Sequence, residues 1–173
     1  MQKILIVAMA VFTWGCPSNK DGTQDDTETT GPNCDGSGSS SVIIGTGAGA
    51  DFYPLEDGDA VGLDVAPQGG FGVSIRAQTT GLKANEIVDV NLITELDGVQ
   101  SGQFLNEGVQ LYCQDDGTGL LWGVVVGFDA DLFATNDDLL ALNGKEAVLI
   151  VQVTDIDGET SEGRVTTLVE VGG

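Results

Sequence analysis

The chain has 173 residues, of which 27 are acidic, only 6 are Lys or Arg and none is histidine, so the formal net charge is −21. This length holds one domain of ordinary size. Binding to phosphate backbones depends on basic patches, and the charge therefore excludes nucleic acid as a partner. An acidic surface of this kind favours solubility, cations, and basic or neutral partners.

The first fifteen residues have the pattern of an export signal. Lys3 is followed by an apolar run at 4–11, and the small residue Gly15 precedes Cys16. A basic start, a short apolar run and a small residue at the boundary are typical of a cleaved leader, and the run is too short to span a bilayer. We therefore predict a signal peptide over residues 1–15 and an exported protein after it.

The junction Gly15-Cys16 resembles the lipobox of bacterial lipoproteins. Members of that family prefer Leu three residues before the cysteine, where this chain has Thr13. The resemblance implies lipidation of Cys16, with palmitate as an acyl chain, and anchoring in the bacterial envelope. Pro17 is not the aspartate that retains many such lipoproteins in the inner membrane, so the outer membrane is favoured. The alternative is an ordinary signal peptide with an incidental cysteine.

The two remaining cysteines are candidates for a disulfide. If Cys16 carries a lipid, Cys34 and Cys113 are the two cysteines left to pair with each other. An oxidising envelope allows a disulfide between them to persist. The alternative is two unpaired thiols. Because the chain has no histidine and no C-x-x-C motif, a zinc site or a redox motif is not expected.

Residues 16–41 are predicted to form a flexible acidic linker. The stretch is rich in Ser, Thr, Gly and Asp and has no large apolar residue, so it cannot bury enough surface to offset its ordering entropy. The run at 45–50 then fits a G-x-G-x-x-G/A fingerprint after an apolar segment. That motif requires a helix to begin at its glycines, and Pro54 and Gly58 prevent one. We therefore interpret these glycines as a flexible lead-in to the first strand.

A β pattern occupies the rest of the chain. Alternating apolar residues predict strands at 71–77, 87–96, 109–113, 120–128, 147–154 and 164–171. Turns are predicted at 66–70 and at Asp97-Gly98. Trp122 shares an alternation with Val124, Val126 and Phe128 and is expected to be a core residue. One short helical turn is expected at 136–144, capped by Asn136 or Asp137 and ended by Gly144.

These elements predict an all-β fold, an antiparallel immunoglobulin-like β-sandwich of about seven strands over residues 42–173. The segment from Asn143-Gly144-Lys145 to Val171 resembles the final hairpin of bacterial immunoglobulin-like domains. The PLEDGD run at 54–59 and the PQGG turn at 67–70 resemble lipoproteins of unknown function found in myxobacteria. Members of that family often have histidine shortly after the two glycines, where this chain has Gly72, so the resemblance implies no metal or catalytic residue.

We expect no enzymatic activity. A serine nucleophile has no histidine base here, no G-x-S-x-G elbow occurs, and the acids fall mainly in glycine-rich turns. A calcium ion is the one cofactor considered, because oxygen ligands cluster at Asp155, Asp157, Glu159 and Glu162. The D-x-D-G run at 155–158 is also a good turn sequence, and it lacks a full twelve-residue calcium loop.

Two classes of function follow from this organisation. The favoured hypothesis is an envelope lipoprotein whose sandwich binds a protein or a glycan, as in adhesion. The alternative is a passive structural or coat lipoprotein with no dedicated ligand. An exposed apolar patch on one sheet or loop cluster would favour the first, because isolated domains seldom leave such a patch uncovered.

Overall fold

The fold is described here from a computed structural model, which covers residues 34–65 and 70–172. The predicted signal peptide, Cys16 and most of the predicted linker lie outside these residues. So do four of the five residues of the turn predicted at 66–70. The described part of the chain begins at Cys34, within the stretch interpreted as a linker.

The described residues form an all-β fold, as predicted. Seven strands have six or more residues, and four short pieces have two or three. The long strands are β1 (Ser41–Thr46), β5 (Phe71–Thr80), β6 (Ile87–Leu96), β7 (Val99–Gln110), β9 (Gly119–Gly127), β10 (Glu146–Thr154) and β11 (Thr160–Glu170). The short pieces are β2 (Tyr53–Pro54), β3 (Ala60–Gly62), β4 (Asp64–Val65) and β8 (Tyr112–Cys113). A single helix, α1, spans Asn136–Leu140 in this part of the chain.

Two sheets pack face to face. Sheet I has the strand order β2-β1-β5-β9-β8, with β4 also pairing with β5. Sheet II has the order β3-β11-β10-β6-β7. All pairings between these strands are antiparallel except that of β3 with β11, which is parallel. The predicted sandwich is therefore confirmed, with a parallel strand added at one edge.

The core lies between the sheets and is built from alternate residues of the long strands. Val73, Ile75 and Ala77 of β5 are buried, as the alternation predicts. They face residues of sheet II such as Leu92 and Leu149, which are buried in the same cluster. Burial of these aliphatic side chains removes apolar surface from water, which is the main term that stabilises the fold.

The predicted hairpin at Asp97-Gly98 is confirmed. Leu96 pairs with Val99, so two residues connect β6 to β7. Both connecting residues have positive φ angles, 51° for Asp97 and 76° for Gly98. Such a turn has the twist that antiparallel strands need, which is why Asp-Gly is a strong hairpin signal.

Several local predictions are wrong. The strand predicted at 109–113 is interrupted at Leu111, because β7 ends at Gln110 in sheet II and β8 lies in sheet I. Val42, Ile44 and Gly45 already lie in β1, so the later glycines Gly47 and Gly49 follow the first strand and do not lead into it.

The helix is capped by Thr135, whose hydroxyl accepts from the Asp138 N–H while the Asp138 carboxylate accepts from the Thr135 N–H. In this capping box, the side chain of each residue accepts a hydrogen bond from the backbone N–H of the other. The cap is therefore Thr135 and neither Asn136 nor Asp137. The helix ends at Leu140, before Gly144.

In the described part of the chain, no helix has the length and apolar character needed to cross a membrane.

Hydrogen bonds join the two sheets where β6 and β7 pass the end of β9. The hydroxyl of Thr94 donates to the Gly127 carbonyl, and the Asp129 N–H donates to the Ser101 carbonyl at 2.7 Å. A Cβ atom on Gly102 would overlap the same Gly127 carbonyl oxygen. The absence of a side chain at Gly102 is therefore a condition for this closure.

We expect Gly102→Ala to lower the free energy of unfolding by about 2 kcal/mol, because the added methyl group must displace backbone. Gly62→Ala is the matched control, since a Cβ there meets no atom within 4 Å. That variant should change stability by no more than about 0.5 kcal/mol. Urea unfolding of both variants measures the difference, and equal stabilities would contradict this account of the closure.

Candidate ligand-binding face

The outer face of sheet I carries a row of side chains that runs across four strands. Ile43 on β1 lies opposite Gln78 on β5, and Gln78 lies opposite Leu120 on β9. Leu120 in turn lies opposite Tyr112 on β8. Because side chains opposite each other in a ladder point to the same face, these four share the outer side of the sheet.

Trp122 belongs to the same face, which corrects the prediction that it is a core residue. Leu121 pairs with Ala77 and Val124 pairs with Ile75, so Trp122 and Gly123 together lie opposite one residue of β5. This is a β-bulge, and Gly123 has the positive φ angle of 61° that such a position favours. The extra residue shifts the alternation, so Leu121 and Val124 are both buried while Trp122 points outward.

The rings of Tyr112 and Trp122 stack on one another. Their centroids are 4.6 Å apart and their planes differ by 17°. Exposed fractions of 41% for Tyr112 and 45% for Trp122 show that both rings remain accessible. The contact restricts both side chains, so the surface they present is largely ordered before any ligand arrives.

Leu120 beneath them is only 1% exposed, although it points away from the core. Leu120 is not part of the core cluster between the sheets, so it is buried on the outer side of sheet I. Its ladder partners there are Gln78 and Tyr112. The outer face of sheet I therefore has a small apolar centre of its own, separate from the core between the sheets. We call the set Ile43, Gln78, Tyr112, Leu120 and Trp122 the aromatic face.

Polar side chains at one end of the aromatic face are held by hydrogen bonds. Gln78 Nε2 donates to Thr118 Oγ1 at 3.1 Å, and Thr118 Oγ1 donates to Asp116 Oδ1 at 2.6 Å. The Thr118 N–H donates to the same carboxylate oxygen at 3.0 Å. These hydrogen bonds, led by the one from the hydroxyl, lower the pKa of Asp116 below its ordinary value. The chain Asp116–Thr118–Gln78 thus fixes an amide beside the rings.

Arg76 lies at the border of the aromatic face. It is two residues before Gln78 on β5 and opposite the bulge at Trp122 and Gly123. Its Nη1 donates to the Gly49 carbonyl at 2.6 Å and to the Asp51 carbonyl at 3.1 Å. The guanidinium therefore holds the backbone of the glycine-rich run at 45–50, which matches the G-x-G-x-x-G/A fingerprint. In the structure this run connects β1 to β2, where no helix follows it.

The main strands of sheet I carry no carboxylate, in a chain with 27 acidic residues. Arg76 is the only charged residue on β1, β2, β5, β8 and β9. Sheet II differs, because its strands carry Asp89, Glu95, Glu107, Glu146, Glu162 and Glu170. The strands of the aromatic face therefore carry no acidic residue, and Asp116 beside them lies in the turn between β8 and β9.

The predicted disulfide between Cys34 and Cys113 is present, with a Cα–Cα distance of 5.9 Å. It links the residue next to Tyr112 to the first described residue of the chain. The neighbouring backbone is held as well, since the Ala84 N–H donates to the Cys34 carbonyl at 3.0 Å. Disulfides persist in oxidising compartments, so the bond supports export of this protein.

The four residues considered for calcium are not brought together as one set. Asp155 is buried, and its carboxylate accepts from the backbone N–H groups of Asp157 and Glu159 at 3.0 Å. Its second oxygen accepts from the Lys83 N–H at 3.1 Å. Asp155 therefore stabilises the turn between β10 and β11. This is the turn-forming role that the D-x-D-G run at 155–158 offers as the alternative to calcium binding. Calcium binding itself stays a prediction.

The other three residues of that set also have partners. Asp157 forms an ion pair with Lys83, and the hydrogen bond within it raises the pKa of the lysine. Glu159 accepts from the Ser40 hydroxyl at 3.2 Å. Glu162 lies on β11, where it accepts from Gln152 Nε2 at 2.8 Å. Within the described residues, no group of three or more His, Cys, Asp or Glu side chains has a metal-binding arrangement. Cys16, the predicted lipidation site, lies outside them.

Comparison with known proteins gives likenesses of structure but no family. No family model matches the chain, and a search of curated proteins finds no match. Among solved structures, the CooA pilin subunit from enterotoxigenic Escherichia coli is similar over 77% of this chain and 99% of its own, with 12% identity and a TM-score of 0.37. The N-terminal domain of PorA is similar over 76% of this chain and 99% of its own, with 13% identity and a TM-score of 0.24. At such TM-scores these likenesses carry no argument about function.

The hydrogen bonds to Asp116 make the stability of this region depend on pH. A carboxyl group with a lowered pKa in the folded state stabilises the fold above its ordinary pKa, and this contribution disappears as the pH falls through the lowered pKa. We expect Asp116→Ala to cost about 1 kcal/mol at neutral pH, since the site is exposed to solvent.

The difference between wild type and Asp116→Ala should shrink as the pH is lowered below the ordinary range of aspartate. Urea unfolding at pH 7 and at successively lower pH values measures it. Asp115→Ala, which removes the neighbouring carboxylate of the same turn, is the control. A wild-type advantage over Asp116→Ala that is constant with pH would contradict the assignment.

Proposed function

We propose that this protein is an envelope-anchored bacterial lipoprotein whose β-sandwich is a binding or adhesion module for a protein or a glycan. In this proposal a lipid on Cys16 attaches it to the membrane, with the outer membrane preferred, and the linker holds the sandwich away from the surface. The resemblance to the lipobox and to myxobacterial lipoproteins supports this arrangement. The disulfide supports the exported location.

One observation carries the binding role, namely the exposed stacked pair of Tyr112 and Trp122 on strands that carry no carboxylate. Leaving large aromatic side chains in water costs free energy, and Tyr and Trp are enriched at interfaces. Trp and Tyr are also the residues that contribute most to binding energy at interfaces. A passive coat protein would need no such pair in a chain that is otherwise so acidic.

The test is saturable binding to isolated envelopes of the producing cells. The full chain is made with its own leader and with Cys16→Ser, so that no lipid contributes to retention. Trp122→Ala should weaken binding at least about tenfold, which corresponds to about 1.4 kcal/mol. The matched control is Leu105→Ala, because Leu105 is 59% exposed but lies on β7 of sheet II.

Thermal unfolding of each variant establishes that it is folded, and Trp122→Phe should retain more binding than Trp122→Ala. Retention that does not saturate, or that is equal for Trp122→Ala and Leu105→Ala, would contradict the binding role and favour the passive coat protein.

A further inference from the structure

We infer that the aromatic face binds a neutral glycan, with Trp122 and Tyr112 as the surface on which a sugar ring stacks. This inference rests on the proposed binding function and names the class of ligand for it. A pyranose ring has an apolar side made of C–H groups and a rim of hydroxyl groups. A site for it therefore needs an accessible aromatic surface with neutral hydrogen-bonding groups around it.

The neighbours of the rings provide that rim. Gln78 lies in the same row as Tyr112 and is fixed by its hydrogen bond to Thr118 at 3.1 Å. Its carboxamide oxygen is an acceptor with two lone pairs, suited to a sugar hydroxyl. The Gln114 side chain donates to the Tyr112 carbonyl at 3.2 Å, which places a second carboxamide close to the Tyr112 backbone. The neutral groups near the rings are thus amides and a hydroxyl, while the guanidinium of Arg76, opposite the bulge, donates to backbone carbonyls.

The size of the exposed apolar surface fits a sugar better than a protein. A large aromatic side chain has about 150–250 Å² to bury, so exposed fractions of 41% and 45% leave roughly 170 Å² on the pair. A stable protein partner covers about 800 Å² on each side, with a larger apolar centre. One or two sugar rings are enough to cover the pair.

Charge indicates a neutral glycan. An acidic glycan would be repelled by a protein with a net charge of −21. The one cation on these strands, Arg76, already donates to the carbonyls of Gly49 and Asp51. A basic ligand would find no carboxylate on the strands that build the face.

The face is also ordered in advance of binding. The two rings restrict one another at a centroid distance of 4.6 Å, and the disulfide at Cys113 holds the backbone next to Tyr112. Little side-chain freedom then remains to be lost when a sugar stacks, which favours the weak contacts on which glycan binding depends.

The experiment titrates the full chain carrying Cys16→Ser with defined probes in a calorimeter. The probes are neutral hexasaccharides of glucose and of N-acetylglucosamine, with a hexasaccharide of uronic acid and a sulfated hexasaccharide as acidic counterparts. At least one neutral probe should bind saturably, while the acidic probes should not. Trp122→Ala should weaken that binding at least about tenfold, and Leu105→Ala should leave it within about twofold.

The outcomes separate this inference from the proposed function. If no neutral probe binds but retention on envelopes still depends on Trp122, the glycan inference is overturned, the binding module stands, and its partner is a protein. Neutral glycan binding that is the same in Trp122→Ala and wild type would overturn the placement of the site. If neither glycan binding nor envelope retention depends on Trp122, both proposals fail.

Discussion

The β-bulge at Trp122 and Gly123 is the constraint on which the exposed aromatic surface depends. Leu121 and Val124 are three residues apart and would point to opposite faces of a regular strand. The bulge allows both to be buried against sheet II, at the cost of turning Trp122 outward. Gly123 makes this possible, because its φ angle of 61° is one that side-chain-bearing residues seldom adopt.

The outward tryptophan would be an isolated apolar residue without a second element beside it. That element is β8, which is only two residues long and is held by the disulfide at Cys113 as well as by its pairing with β9. Tyr112 thereby reaches the ring of Trp122, and Leu120 is covered between them and Gln78. A covalent bond, a bulge and a stack thus cooperate to order one surface patch.

Much of the fold could be predicted from the sequence, because period-two alternation and the Asp97-Gly98 turn report directly on strands and their connection. The strand β6 was predicted with its observed bounds. Most of β7 was missed, because Gly102 and Gly108 and the exposed Phe104 and Leu105 obscure its alternation.

The site was less accessible to sequence reasoning. Strict alternation placed Trp122 in the core, since only the adjacent glycine hints at a bulge. The absence of carboxylates from β1, β5, β8 and β9 becomes visible only when these distant strands are grouped by their pairing. The most direct test of this account is the exposure of Trp122 itself, measured by acrylamide quenching of the Trp14→Phe variant, in which Trp122 is the one remaining tryptophan. The account predicts efficient quenching and emission typical of a partly hydrated indole. Blue-shifted emission that resists quenching would place Trp122 in the core and contradict it.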